Sequence, residues 1–159
     1  MSSMEKVNAV RLRLPESIAK LKFRNEKYDC DDDLGEYLDR PEFSELVGWK
    51  KPGLFMYRYG GDLIKDENGN YQSKHEYYID IVLADDDDLD FGEYTKARLL
   101  TENELNKYIP KFQSFFKQVN LPCPELSKDT LRVVEFVYYN GCDAPCCFDV
   151  TVDKFYQEV

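Results

Sequence analysis

Apolar and polar positions alternate most regularly between Gly53 and Ala84, in two segments separated by Asn68-Gly69. Asn-Gly between alternating runs signals a β-hairpin, because a type I′ turn needs positive φ at both central residues. With Asn68 and Gly69 in those positions, Phe55 faces Val82, Tyr57 faces Asp80 and Tyr59 faces Tyr78. The other face then holds Leu54, Met56, Ile79, Ile81 and Leu83. One side is aliphatic and the other aromatic, so both can be covered. Gly60-Gly61 is a candidate bulge, and a bulge would slip the register and exchange the two sets on one strand.

The remaining elements follow from shorter patterns. Val7 to Leu14 alternates apolar and basic residues and reads as a strand stopped by Pro15. Glu16 to Tyr28 fits a strand and a helical stripe equally. Leu34 to Leu38 reads as one helical turn, and Pro41 to Val47 as a short helix with proline at a tolerated first position and Gly48 as its stop. Glu93 to Leu100 is a strand candidate. Thr101-Glu102-Asn103-Glu104 fits a capping box, after which Leu105, Tyr108, Ile109, Phe112, Phe115, Phe116 and Val119 form one apolar stripe. Pro110 inside that stripe predicts a kink or two short helices. Leu121 to Pro124 is a stiff connector. Leu131 to Tyr139 suits an interior strand, and Cys146 to Val152 returns after a turn as a second hairpin.

Strand, helical segments, hairpin, strand, helix and hairpin, in that order, specify an α+β fold. The expectation is a single domain over residues 1–159, with an antiparallel sheet of about five or six strands and helices packed on one face. Its core should join Met56, Ile79, Ile81, Phe112, Phe116, Val134, Phe136 and Phe148.

Composition narrows the function. A chain of 159 residues, 43% hydrophobic and 14% aromatic, can bury a real core despite its 33% charged residues. Its formal net charge of -10 disfavours direct nucleic-acid binding and anionic membrane surfaces, both of which reward clustered Lys and Arg. The sequence lacks an 18-residue apolar run and a recognisable secretory signal, which points to the cytoplasm. Five cysteines, an odd number without a secretory context, read as reduced thiols.

Candidate chemistry is sparse. Asp29 to Asp33 resembles a calcium loop only superficially, since Leu34 and Arg40 stand where glycine and glutamate are wanted. Cys142 and Cys146 have the spacing of half a zinc site, but Cys30, Cys123 and His75 supply no second close pair. Asp80 is either a solvated edge charge or a functional carboxylate among tyrosines, and the rule that acids stay wet favours the first. Asp80, Glu135 and Cys147 are the residues on which an enzyme would have to rely. No phosphate loop, dinucleotide fingerprint or metalloprotease helix is present. We therefore assign no catalytic residue, no metal site and no cofactor.

The leading expectation is a non-catalytic acidic protein-binding module, of the inhibitor, immunity or adaptor kind, that engages a protein partner with a basic surface. Asp85, Asp86, Asp87, Asp88 and Asp90 form a loop able to steer such a partner. Trp49, Tyr57, Tyr59 and Tyr78 are the candidate contact aromatics, because tryptophan and tyrosine are enriched at interfaces. The alternatives are a small carboxylate or thiol enzyme, and a nucleic-acid mimic that inhibits a nucleic-acid-binding enzyme. The sequence does not set the oligomeric state.

Overall fold

A computed structural model describes residues 4–65, 67–84 and 95–139, with side-chain surroundings for 7–59, 67–70, 76–84 and 97–135. Five strands form one antiparallel sheet: β1 (Met4–Leu14), β4 (Phe55–Lys65), β5 (Tyr71–Val82), β6 (Thr95–Arg98) and β7 (Leu131–Tyr139), in the order β4-β5-β1-β7-β6. The fold is α+β, as the element order implies. The segment that fitted both strand and helix divides into α1 (Glu16–Ala19) and β2 (Phe23–Asn25). The latter pairs with β3 (Cys30–Asp32) as a separate two-stranded ribbon.

Hairpin β4–β5 forms, but with a different register. Phe55 pairs with Ile81, Tyr57 with Ile79 and Tyr59 with Tyr77, and pairing runs unbroken through Gly60 and Gly61 to Lys65 opposite Tyr71. The expected bulge is absent. Residues 66–70 form a five-residue connection, in which Gly69 takes a φ of 83° while Asn68 is not among the positive-φ residues. A two-residue type I′ turn would need both. Each face therefore mixes aromatic and aliphatic residues, and the even-numbered positions of both strands share one side.

One face carries the helices. Val10, Leu12 and Leu14 of β1, Phe55, Ile79, Ile81 and Leu131 pack there with Phe112, Phe115 and Phe116 of α3 (Glu102–Gln118) and with Leu34 and Leu38 of α2 (Leu34–Leu38). The Phe115 ring stacks on Phe55 with centroids 4.3 Å apart, and Phe112 meets the same ring edge-on at 5.4 Å. Of the expected core, Ile79, Ile81, Phe112 and Phe116 lie here. Met56 and Val134 belong instead to a second buried cluster on the opposite face, with Val7, Ala9, Tyr78, Val82 and Ala97. Phe148 lies outside the described residues, as does the returning strand Cys146 to Val152.

Pro110 breaks nothing: α3 is one helix from Glu102 to Gln118. The proline is exposed, so water can satisfy the carbonyl left without an N–H donor, while the buried stripe holds the flanking turns on the sheet. The expected short helix after Pro41 contracts to a single 3₁₀ turn, Pro41–Phe43.

The N-terminus of α3 is pinned by the expected capping box. Thr101 Oγ1 accepts from the Glu104 N–H, and Glu104 Oε1 accepts from the Thr101 N–H at 2.8 Å. Arg98 adds a two-pronged contact to the same carboxylate, at 2.8 and 3.0 Å. Arg98's hydrogen bonds, with smaller help from Thr101 and despite partial burial, hold the Glu104 carboxyl down at about 2. A lowered carboxyl stabilises the fold above its unfolded pKa of about 4.3, and that contribution is lost as pH falls toward about 2. Glu104→Gln should cost about 1 kcal/mol at neutral pH. Urea denaturation across pH should show the gap to wild type closing between about pH 4.5 and 2; a gap independent of pH would sink this assignment.

Candidate functional site

The sheet face opposite the helices is organised around charge. Even-numbered residues of β5 and odd-numbered residues of β1 share it, so Asp80 lies beside Arg11, with Met56 and Arg132 flanking the pair in register. Arg11 Nε and Nη2 donate to the two Asp80 carboxylate oxygens at 2.8 and 2.7 Å, a bidentate fork. Both side chains are 0% exposed, and the Arg11 guanidinium lies 4.4 Å from the Tyr78 ring centroid. Arg58 and Arg132 are buried in the same face, and Arg13 pairs with Glu76 at its border.

This arrangement corrects two expectations. Asp80 is not a solvated edge charge: β5 lies between β4 and β1, and the carboxylate tolerates burial because Arg11 matches it. Asp80 and Glu135 also cannot act as a carboxylate pair. Glu135 stands opposite Asn8, one residue out of phase with the Ala9–Val134 pair that shares the Asp80 face, so the two acids occupy opposite sides of the sheet. Cys147 and the Cys142, Cys146 pair lie outside the described residues. Cys30 and Cys123 are exposed.

A second grouping lies at the outer edge of the helix-bearing face. Tyr57, Tyr59 and Tyr77 share that side through the register of β4 with β5. Tyr57 and Tyr77 are half-buried against the core, whereas Tyr59 is 41% exposed. Gly35 in α2 makes room for this packing: a β-carbon there would sit 3.3 Å from two Tyr57 ring atoms. Asp33, which caps α2 by accepting from the Glu36 N–H at 2.8 Å, brings a carboxylate to the same place. Burial raises the Tyr57 hydroxyl well above the ordinary phenol range, with Tyr77, Asp33 and Tyr59 adding in the same direction. Asp39, just past α2, is raised by partial burial and by Asp33. Tyr57 thus stands beside the exposed Asp33, and two further exposed acids, Glu36 and Asp39, are neighbours of Asp33.

The segment bearing these acids is braced from beneath. Asp32 is buried and accepts from Arg40 Nη2 at 2.9 Å and from Asn25 Nδ2 at 3.0 Å, so it belongs to the framework rather than to a calcium loop. Tyr37 stacks on Phe23 at 3.9 Å and donates its hydroxyl to the Val119 carbonyl at 2.6 Å, fastening α2 to the end of α3. Among the described residues no group of three metal-ligating side chains occurs, and no helix is long and apolar enough to cross a membrane.

The expected contact aromatics separate accordingly. Tyr78 is fully buried beneath Arg11 and is withdrawn from the contact set, because β5 is interior and even-numbered residues face the charged side. Trp49 is 44% exposed, 5.4 Å from the buried Arg58 guanidinium. Asp85, Asp86, Asp87, Asp88 and Asp90 lie outside the described residues. Sequence reasoning overlooked Asp33 as a neighbour of Tyr57. The signal available was the capping pattern Asp33 to Glu36 ahead of a glycine-containing turn.

No known protein-family model matches the chain. The search of curated proteins and the search of solved structures likewise find nothing similar.

Proposed function

We propose that the chain is a non-catalytic protein-binding module whose acidic, tyrosine-bearing face engages a basic surface on a partner protein. The supporting observation is Tyr57 beside the exposed Asp33, with Tyr59 and Tyr77 on the same side of the sheet and the exposed Glu36 and Asp39 next to Asp33. Half-packed tyrosines lose little conformational entropy on contact and offer both an apolar ring and a hydroxyl, which suits interfaces. Carboxylates around them favour cationic partners and speed encounter. Asp80 and Glu135 lie on opposite sides of the sheet, so that particular pair does not support the alternative of a two-carboxylate enzyme.

Affinity capture from the source cell with mass spectrometry tests the reading. Wild type is compared with a Tyr59→Ser, Asp39→Asn double variant and with a variant carrying Asn at Asp85 to Asp88 and Asp90. The expected result is a stoichiometric partner with a basic surface. Its affinity for the double variant should fall about tenfold or more, equivalent to about 1.4 kcal/mol, and should weaken with added salt. Equal capture by all three baits, or no stoichiometric partner at all, would refute the proposal.

A further inference from the structure

The ribbon of β2 and β3 ends in a turn over residues 26–29, all of them exposed, which Asp29 closes with a left-handed φ of 50°. Such turns are served by small polar residues, yet one position is given to Tyr28. Its side chain is the most open of the large apolar ones: Tyr28 is 67% exposed, against 41% for Tyr59 and 9% or less for Tyr37, Tyr78 and Tyr108. The contact made by its ring is with the neighbouring Lys27 ammonium, 5.3 Å from the centroid. Neither the backbone of the turn nor the core calls for a phenol here.

Exposed acids flank this tyrosine on both sides, Glu26 before it and Asp29, Asp31 and Asp33 after it. We propose that Tyr28 is a phosphorylation site, modified by a protein kinase whose substrate groove is basic. The Tyr28 hydroxyl oxygen would attack the γ-phosphorus of a nucleoside triphosphate. The new O–P bond forms as the bond to the β,γ-bridging oxygen breaks, the phenolic proton passes to the carboxylate base of the kinase, and the nucleoside diphosphate leaves. The flanking acids supply the selectivity, because they steer this turn, rather than the other tyrosines, into a cationic groove.

For in-line transfer the ring must reach into a cleft, so the turn has to open. Three residue pairs hold the ribbon, Phe23 with Asp32, Arg24 with Asp31 and Asn25 with Cys30. At the exposed end, Arg24 ties Glu26 at 3.5 Å and pairs with Asp29, contacts that water replaces at little cost. At the other end, Asp32 is buried and held by Arg40. The tip can therefore open locally while the base of the ribbon stays in place. The added phosphate carries a charge of about −1.5 to −2 at neutral pH, which would strengthen attraction to a basic partner. That consequence rests on the protein-binding reading; the acceptor site itself does not.

The test expresses the full chain in its source cell, with tyrosine phosphatases blocked by orthovanadate, and maps the modified residue by fragmentation mass spectrometry. Phosphate should be found on Tyr28 at about tenfold or more the level of any other tyrosine, and Tyr28→Phe should abolish it without raising Tyr59. Asp29→Asn with Asp31→Asn keeps a residue that tolerates the left-handed turn position and should cut Tyr28 phosphate about tenfold. Should that variant unfold, Glu26→Gln with Asp31→Asn makes the same comparison. An unmodified Tyr28, equal labelling of another tyrosine, or labelling indifferent to the acids overturns the inference. So does a group of the same nominal mass that resists a tyrosine phosphatase, which would be a sulfate. If no partner is captured while Tyr28 is phosphorylated, the protein-binding reading falls and the acceptor site stands.

Discussion

Replacing Asp80 with alanine should lower the unfolding free energy by about 3–5 kcal/mol, because it takes a two-pronged carboxylate away from a fully buried guanidinium. Small domains are stable by only about 5–15 kcal/mol, so the loss is a large share of the total. Water exclusion sets the size of this loss. At the surface such a pair would be worth about 0–1 kcal/mol, but Arg11 and Asp80 are fully buried and meet through two hydrogen bonds. Replacing both partners, Arg11→Met with Asp80→Leu, removes both buried charges and should recover most of the loss. Urea denaturation of the wild type, the two single variants and the double variant forms the necessary cycle. A cost below about 1 kcal/mol for Asp80→Ala would mean that water reaches the pair.

Phe115→Ala should be comparably damaging, at about 3–5 kcal/mol, through a different cause. The Phe115 ring stacks on Phe55 and meets Phe116 edge-on with centroids 5.4 Å apart, so its removal opens a cavity between α3 and the sheet. Neighbouring aromatic rings on two elements cannot both move in to fill it. In a chain of this size each kcal/mol lowers the melting temperature by about 2–4 °C, giving a fall of about 6–20 °C by calorimetry. Lys117→Ala, on the exposed side of the same helix, should stay within about 0.5 kcal/mol. Equal effects of the two substitutions would show that α3 contributes through helix propensity rather than packing.

The elements governed by local chemistry could be read in the sequence. Leu131 to Tyr139 is a strand with those bounds, Leu34 to Leu38 is one helical turn, and α3 begins at the Thr101 capping box. Each depends on residues a few positions apart. The hairpin was legible as a pairing but not as a register, because Asn68-Gly69 has the residues of a tight turn while the chain spends five residues on the connection. That single step reassigned the partners of Tyr57, Tyr59 and Tyr78. The charged face escaped sequence reasoning for a longer-range reason: Arg11 and Asp80 are 69 residues apart and each alone reads as a solvated residue in an alternating strand. Only the placement of β1 beside β5, at the middle of the sheet, buries them together. At the candidate binding edge the tyrosines were evident, whereas Asp33 comes beside Tyr57 only through the packing of α2 on its Gly35 side.

The five-residue connection between β4 and β5 also acts as a parity lock. Adding or removing two residues in 66–70 would let β4 slide along β5 and keep Phe55 and Tyr57 over the helices. Adding or removing one, with the ladder re-formed throughout, would turn Met56 and Arg58 toward the phenylalanines of α3 and send Phe55 to the side of Arg11 and Asp80. A one-residue change in this turn is therefore harmless only where the turn itself absorbs it and Phe55 stays opposite Ile81, since a slipped ladder would exchange the oily and the ionic sides of β4.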